Sequence, residues 1–206
     1  MYVAQPIEWT ERGVVMLDQR HLPAQEIRHT YTDYREVAGA IKEMIIRGAP
    51  AIGVAAAMGA ALGVQNSCAK SVESLRVEFA EIRAALASTR PTAVDLFWAL
   101  ERMKRCFADL TAHSSDLAKI KQGMVEEARR IHLEKRATDE AIGRFGAEFM
   151  PLDGQVMTQC NAGALATAGI GTALGVIRVA FEQGKRLHVL VPETRPYLQG
   201  ARLTAW

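Results

Sequence analysis

Apolar residues recur along this chain with two different periods, and these periods predict its secondary structure. Between residues 7 and 31, apolar and polar positions alternate in two short runs that flank a Glu-Arg-Gly turn at 11–13. This alternation predicts a small β-hairpin or meander. Helical spacing begins after Asp33, which stands three residues before Glu36 as in a capping box and therefore marks the expected start of the first helix.

Residues 33–150 are predicted to be mostly helical. The first helix is expected to end at Gly48, and Pro50 suits the first turn of the next one. The apolar stretch 49–64 is shorter than the about 20 residues that cross a bilayer, and its small side chains favour a helix buried on every face. Further helical patterns follow with short connections. They cover residues 75–86, 94–107, 117–131 and 141–149.

The pattern changes at 151–154, where Pro-Leu-Asp-Gly breaks the helical spacing. An apolar strand at 156–160, a small-residue helix at 163–182 and a second strand at 187–191 follow. Strand, helix and strand at this spacing predict a βαβ unit with parallel strands. A final helix is expected to begin near Pro196.

Together these elements predict an α/β fold with two domains. Residues 1–150 would form a mostly helical N-terminal domain with a small β-hairpin or meander, and residues 151–206 an incomplete Rossmann-like parallel α/β domain. Parallel sheets normally have several strands and are covered on both faces, so two parallel strands are not stable alone. We therefore expect about half of the α/β domain to be present, in a fragment, a truncated product or a chain that borrows strands from a partner.

Composition narrows the range of functions. The 206 residues carry a formal net charge of +2, without the dense stripe of Lys and Arg that nucleic-acid-binding proteins show, so no nucleic-acid partner is expected. Cys68, Cys106 and Cys160 are too widely spaced for a CxxC metal or redox motif, and their odd number argues against a disulfide framework. Without a signal-peptide pattern, we expect a cytoplasmic protein that binds no membrane and no metal.

Cys160 is the first candidate for chemistry. It lies where the first predicted parallel strand gives way to a run of Gly, Ala and Thr, and open α/β sheets bind ligands at the carboxyl ends of their strands. A thiol at that place can serve as a proton donor or acceptor. The alternative is a buried structural cysteine, and position alone favours this second interpretation.

Two arginines are candidates for binding an anion. Arg47 and Gly48 precede the buried helix, where a guanidinium group and free helix N–H groups both favour phosphate. Alternatively, Arg47 interacts with the last carbonyl groups of the preceding helix, and the residues leave both interpretations open. Arg90, before Pro91 and Thr92, presents the same choice, with a solvated linker arginine favoured there.

A dinucleotide site is a further alternative. Gly169, Gly171 and Gly175 approach a GxGxxG pattern, but one residue too many precedes the last glycine and the segment lies inside the predicted helix. Glu193, after the second strand, occupies the place of a ribose-binding acid. A nicotinamide-dependent oxidoreductase therefore remains a weaker alternative. His188 alternates within the second strand and is expected to be packed.

Four long stretches of the chain are distinctive when taken together: IRGAPAIGVAAAMGAALG at 46–63, TRPTAVDLFWAL at 89–100, QCNAGALATAGIGTALGVIRVA at 159–180 and ETRPYLQGARLTAW at 193–206. In this order they resemble the methylthioribose-1-phosphate isomerases of methionine salvage. The wider superfamily includes ribose-1,5-bisphosphate isomerases and the regulatory subunits of the exchange factor for translation initiation.

This resemblance implies an aldose–ketose isomerase that converts 5-methylthioribose 1-phosphate into 5-methylthioribulose 1-phosphate, without a metal or another cofactor, and that forms a homodimer. It implies that Cys160 is the acid/base thiol and that Gln199 contacts the sugar. The residues implied to bind the substrate and its phosphate are Arg47, Gly48, Ala49 and Arg90.

The resemblance also implies that family members continue past Trp206, with a catalytic aspartate and a substrate-contacting Asn-Lys pair. The present chain alone is therefore expected to be nearly inactive. A non-catalytic regulatory subunit of the initiation-factor type and a ribose-1,5-bisphosphate isomerase are the alternatives within the superfamily.

Overall fold

Two small β-sheets and a group of packed helices make up the structure, a computed structural model that describes residues 4–195 and 197–206. In chain order the elements are β1 (Ile7–Thr10), β2 (Gly13–Leu17), β3 (Arg28–Tyr31), α1 (Tyr34–Lys42), α2 (Ala49–Gln65), α3 (Val72–Ala87), α4 (Val94–His113), α5 (Leu117–Glu148), β4 (Asp153–Met157), α6 (Ala164–Thr167), α7 (Ala173–Glu182), β5 (Arg186–Leu190) and a π-helical turn (Gly200–Thr204). The predicted mixed α/β fold class is confirmed.

The N-terminal strands form the predicted meander, and the capping box starts α1 as expected. β2 pairs antiparallel with both β1 and β3. Asp33 accepts a hydrogen bond from the backbone of Arg35, while the Glu36 carboxylate accepts one from the backbone of Asp33 at 3.1 Å. The predicted end of this helix at Gly48 is wrong. α1 ends at Lys42 because Met44 adopts a left-handed conformation with φ 61°, which turns the chain before it reaches Arg47.

Helix α2 is the centre of the hydrophobic core, as its composition predicts. Every residue from 51 to 64 is buried, and α1, α3, α4 and α5 all pack against it. Glycine permits the closest approaches, since a Cβ at Gly59 would lie 2.9 Å from Val37 and one at Gly63 would lie 2.7 Å from Ile82. The start of α2 is therefore held in one place by packing along its whole length.

Four further predicted helices differ from the structure. The separate helices at 117–131 and 141–149 are one continuous helix, α5, because the polar stretch between them contains no Gly or Pro to interrupt it. The predicted helix at 163–182 is broken into α6 and α7, because Ala168 (φ 66°) and Gly171 (φ 97°) adopt left-handed conformations between them. The predicted final helix is a five-residue π-helical turn, and its expected start, Pro196, lies outside the described residues.

Strands β4 and β5 pair in parallel as predicted, from Asp153 opposite Arg186 to Met157 opposite Leu190. β4 ends at Met157, so Cys160 lies beyond the strand and not at its last position as predicted. His188 is exposed, contrary to the expectation that it is packed, because it lies on a sheet face that no described element covers.

Helix α5, which lies in the predicted N-terminal domain, packs against α7, which lies in the predicted α/β domain. A Cβ at Gly143 would lie 2.9 Å from Val179, and one at Gly146 would lie closer still to Val176. The division into domains at 150 and 151 coincides with the change from helices to a parallel sheet and stays a prediction. Within residues 4–195 and 197–206, no helix is long and apolar enough to cross a membrane.

Candidate active site

The side chains of Arg47 and Cys160 meet in the structure, although they are far apart in the sequence. Nη2 of Arg47 lies 4.0 Å from Sγ of Cys160 and 3.2 Å from the carbonyl oxygen of Asn161, to which it donates a hydrogen bond. Nη1 of Arg47 donates to Oδ1 of Asn161 at 3.1 Å. The guanidinium group thus points towards the segment after β4 and not back to α1, which disfavours the helix-ending interpretation of Arg47.

Among the residues that the structure describes, the buried charge of Arg47 has no carboxylate beside it. Its residue exposure is 8 %, and the hydrogen bonds given for it within the described residues go to neutral groups or to sulfur. Burial lowers the pKa of Arg47, the neighbouring thiol of Cys160 opposes this change, and the charge of Arg90 lowers the pKa further. An uncompensated buried cation is costly, so this arrangement favours binding of an anion.

Arg90 contributes a second guanidinium group near the first. It lies half-buried in the connection between α3 and α4, and its Nη1 is buried without a hydrogen-bond partner in the described part of the chain. Its charge acts on Arg47 strongly enough to lower the pKa of that group. The solvated-linker interpretation of Arg90 therefore does not fit the structure, and the two arginines together form a cationic region.

The other predicted site residues differ in their surroundings. Gly48 presses against α6, since a Cβ at this position would lie 2.5 Å from the Cα of Ala166. Ala49 is exposed as the first residue of α2. Gln199 precedes the π-helical turn, and its Oε1 is buried without a hydrogen-bond partner among the described residues.

Asn161 and Thr204 complete the surroundings of Cys160, and sequence reasoning missed both. Oγ1 of Thr204 donates to the carbonyl oxygen of Cys160 at 2.7 Å and accepts from Nδ2 of Asn161 at 3.2 Å. Both residues lie inside stretches that carry the family resemblance, which was the available signal. Both are polar residues among small apolar neighbours. Asn161 is 5 % exposed, and Thr204 is half-buried.

A cavity of about 390 Å³ opens beside this cluster. Its volume is in the range of small-molecule sites. Asn161 both lines the cavity and accepts hydrogen bonds from Arg47, so it connects the cationic region to the open space. Further lining residues include Gly163, Leu165, Leu174, Leu203, Thr204 and Trp206.

Two side chains of α5 hold the segment between α6 and α7, which contains Gly169 and Gly171. Asp139, at 3 % exposure, accepts a hydrogen bond from the backbone N–H of Gly171 at 3.2 Å, and Nε2 of His132 donates to the carbonyl oxygen of Ala168 at 3.0 Å. Gly169 and Gly171 lie in the connection between α6 and α7, so their expected place inside a helix is wrong. A Cβ at Gly171 would lie 2.6 Å from the Cα of Gly163, which places this glycine against the protein's own backbone.

Glu193 also contacts the protein's own backbone. Its carboxylate accepts hydrogen bonds from the N–H groups of Thr194, Gly200 and Ala201. Desolvation opposes ionisation, but these hydrogen bonds outweigh it and lower the pKa of Glu193. The residue therefore caps the C-terminal turn, and the dinucleotide alternative loses its proposed ribose-binding acid. Among the described residues there is no group of three or more His, Cys, Asp or Glu arranged to hold a metal ion.

Asp139 predicts a pH dependence of stability. Burial raises the pKa of Asp139 above its ordinary value of 3.8, against the opposing hydrogen bonds from Thr167 and Gly171. The folded chain therefore keeps this proton to higher pH than the unfolded chain, and the resulting stability is fully present below 3.8 and lost as the pH rises through the folded pKa. We expect the free energy of unfolding of the wild type, relative to Asp139→Asn, to increase as the pH falls from about 7 to about 4.

Urea unfolding of both proteins at several pH values measures this difference. The asparagine side chain keeps an oxygen for the N–H of Gly171, so the comparison isolates the titration from the hydrogen bond. A difference that stays constant with pH, or that shrinks as the pH falls, would contradict the expected raised pKa.

Comparisons with known proteins agree with the resemblance. The profile of the Initiation factor 2 subunit family (IF-2B) matches residues 45–206. A curated methylthioribose-1-phosphate isomerase from Koribacter versatilis (strain Ellin345) is 57% identical over 204 residues, covering 99% of this chain and 57% of the relative. The chain thus spans a little more than half the length of the curated relatives that it matches.

Solved structures extend the match to the fold. The crystal structure of 5-methylthioribose 1-phosphate isomerase from Pyrococcus horikoshii OT3 superposes with a TM-score of 0.92 at 42% identity, covering 100% of this chain and 57% of that one. The crystal structure of the translation initiation factor eIF-2B subunit delta from A. fulgidus has a TM-score of 0.85 at 38% identity. The match covers 98% of this chain and 58% of that chain. The chain therefore belongs to the Initiation factor 2 subunit family.

Proposed function

We propose that this chain carries the phosphate-binding and thiol-bearing part of an aldose–ketose isomerase that acts on 5-methylthioribose 1-phosphate. One observation supports this most directly. The buried guanidinium group of Arg47, without a carboxylate partner among the described residues, lies 4.0 Å from the sulfur of Cys160. Relatives that carry the isomerase name share more than half of the aligned residues.

The substrate's phosphate fits the cationic region. Arg47 and Arg90 together supply two fixed positive charges, and a guanidinium group binds phosphate through paired hydrogen bonds. The first backbone N–H groups of α2 have no partner within the helix and add partial positive charge at the same end. Ala49 provides one of these N–H groups, which gives this exposed residue a role that does not depend on its side chain.

Cys160 is proposed to transfer protons. The 1-phosphate locks the anomeric carbon, so the ring must open before a hydrogen moves from C2 to C1, and a positioned acid or base assists both events. The reaction leaves substrate and product at the same oxidation level overall and needs no external oxidant. The small and mostly apolar residues after Asn161 are proposed to limit water near the reacting atoms, while Gln199 is proposed to contact the sugar.

Other properties follow from the same proposal. A homodimer is proposed from the family resemblance, and a cytoplasmic location from the cysteine usage and the N-terminal sequence without a signal-peptide pattern. The division into two domains between residues 150 and 151 is also part of the proposal. The exposed sheet face, with Met157 at 68 % exposure, agrees with a parallel sheet that is covered by further protein.

The proposal is tested with two proteins: residues 1–206, and the same chain continued after Trp206 by the corresponding segment of the Koribacter versatilis relative. We expect the extended chain to isomerise 5-methylthioribose 1-phosphate and residues 1–206 to do so about 10²–10⁴-fold more slowly, since one partner in proton transfer typically contributes that factor. In the extended chain, Arg47→Gln should weaken binding of the substrate about 30-fold, as expected for a charge-assisted contact.

Unphosphorylated 5-methylthioribose is the matched ligand for this experiment, because Arg47→Gln should change its binding little. Absence of turnover by the extended wild type would refute the proposed reaction. Equal weakening of both ligands would refute the phosphate-binding role of Arg47. Ribose 1,5-bisphosphate, offered in competition, separates the two isomerase branches.

A regulatory subunit of the initiation-factor type is the second candidate. The specific observation in its favour is the likeness to the A. fulgidus eIF-2B delta subunit, with a TM-score of 0.85. Such a protein needs the arginines for binding but not a thiol. An extended chain that binds the sugar phosphate without turnover would support this candidate.

A further inference from the structure

We propose that Thr204 is a positioning residue, which holds Cys160 in a strained backbone conformation with its sulfur beside Arg47. The catalytic significance of this role rests on the proposed function, but the positioning itself is a property of the described residues. Thr204 lies in the π-helical turn, 44 residues after Cys160, so only the fold brings the two together. π-Helical turns are rare and occur frequently at functional sites.

The backbone of Cys160 needs an external restraint. Its φ is +60°, a left-handed conformation that residues other than glycine avoid. Such conformations persist where surrounding contacts fix them. One contact that restrains it is the 2.7 Å hydrogen bond that Oγ1 of Thr204 donates to the carbonyl oxygen of Cys160.

The same hydroxyl group is connected to Arg47. Oγ1 of Thr204 accepts from Nδ2 of Asn161 at 3.2 Å, and Oδ1 of Asn161 accepts from Nη1 of Arg47 at 3.1 Å. The amide orientation of Asn161 is thereby set at both ends, with its nitrogen towards a hydroxyl and its oxygen towards a guanidinium group. The thiol, the guanidinium group and the threonine hydroxyl thus belong to one hydrogen-bonded network.

Thr204 can position Cys160 because its own turn is held firmly. The neighbouring Arg202 donates hydrogen bonds to the carbonyl oxygens of Gln19 at 2.8 Å and Leu22 at 3.2 Å. Leu203, at 3 % exposure, belongs to a buried cluster with Leu22 and Leu165. The π-helical turn is therefore fixed to the segment after β2 and to α6.

Alkylation of Cys160 by iodoacetamide in residues 1–206, followed by peptide mass analysis, measures this positioning without turnover. Thr204→Val keeps the shape but removes the hydroxyl, so Cys160 can leave the left-handed conformation and its thiolate loses the neighbouring charge of Arg47. We expect alkylation of Cys160 at neutral pH to slow about fivefold, the factor that one hydrogen bond typically contributes. Thr204→Ser restores the hydroxyl and should react at the wild-type rate.

Two controls accompany the experiment. Exposed Cys68 in the same molecule reports general changes in reactivity, and its rate should stay the same in both Thr204 variants. Thr111→Val makes the same substitution at an exposed hydroxyl that bonds within α4, and it should leave the rates at Cys160 and Cys68 unchanged. The positioning role is wrong if Thr204→Val reacts like the wild type, if Thr204→Ser slows as much as valine, or if Cys68 slows in parallel.

Unfolding of Thr204→Val while Thr204→Ser stays folded would also refute the proposal, because the hydroxyl would then support the whole fold and not one residue. Circular dichroism of each variant decides this point. Alkylation does not depend on isomerisation, so the positioning role and the proposed reaction can fail separately. If the extended chain shows no turnover, the alkylation result still supports the positioning role. If alkylation of Cys160 is unchanged in Thr204→Val, the proposed reaction is still open to its own test.

Discussion

Replacing Cys160 with serine in the extended chain is expected to reduce kcat by about 10²–10⁴-fold, the contribution typical of one acid/base group, while KM stays nearly unchanged. A hydroxyl group has nearly the size of a thiol but exchanges its proton far less readily near neutral pH. Arg47 and Arg90 keep their places in this variant, so the phosphate is still bound. A loss confined to kcat is the signature of an interaction made only in the transition state. Initial rates at varied substrate concentration measure both constants.

The other two cysteines provide matched controls. Cys68 is exposed and Cys106 is half-buried in α4, and neither lies in the network around Arg47. The variants Cys68→Ser and Cys106→Ser are expected to retain the kcat of the extended wild type. A Cys160→Ser variant that works at the wild-type rate, or that loses activity only through KM, would remove the thiol from the proton-transfer role.

Local sequence patterns predicted the start of α1 and the buried helix α2 but failed where a helix is mostly polar. The start of α1 and the burial of α2 follow from local patterns, a capping box at Asp33 and small side chains on every face. The middle of α5 is mostly polar and lacks a regular apolar stripe, so the pattern divided one helix of 32 residues into two. The buried Asp139 lies in that polar stretch, and its partner, the N–H of Gly171, is 32 residues away.

The break between α6 and α7 could not be predicted for a different reason. Ala168 is fully buried in a left-handed conformation, which its residue type does not indicate. The conformation is stabilised by tertiary contacts, since His132 bonds its carbonyl oxygen at 3.0 Å. Local propensity is weaker than such contacts, so a continuous helix was the natural but wrong expectation.

For the candidate site, the resemblance supplied what spacing could not. From the residues alone, the sequence left open whether Arg47 served α1 or an anion, and it favoured a structural role for Cys160. The structure joins these residues across 113 positions of sequence, a distance that no local pattern spans. Asn161 and Thr204 were overlooked because single polar residues among small ones carry no periodic signal.

Gly48→Ala should destabilise the fold by about 2–6 kcal/mol, with about 1–3 from the left-handed backbone and about 1–3 from overpacking. Gly48 has a φ of +93°, and a Cβ there would lie 2.5 Å from both the Cα and the Cβ of Ala166. Neither side can retreat easily, because α2 is buried along its length and α6 precedes the segment that Asp139 holds. The carbonyl oxygen of Gly48 also accepts the first hydrogen bond of α2, from Ile52 at 2.9 Å.

Two other glycines separate the causes of this expected loss, measured as the free energy of unfolding in urea. A Cβ at Gly39, inside α1, would meet no neighbouring atom within 4 Å, and the residue has no left-handed φ, so Gly39→Ala should stabilise by about 0.5–1 kcal/mol. Gly184 has a φ of +86° but equally open surroundings, so Gly184→Ala should cost about 1–2 kcal/mol through the backbone alone. If Gly48→Ala costs no more than Gly184→Ala, then α2 and α6 do not meet as closely as described. Because Arg47 immediately precedes Gly48 and Cys160 precedes α6, such a result would also contradict the 4.0 Å approach of the Arg47 guanidinium group to the sulfur of Cys160.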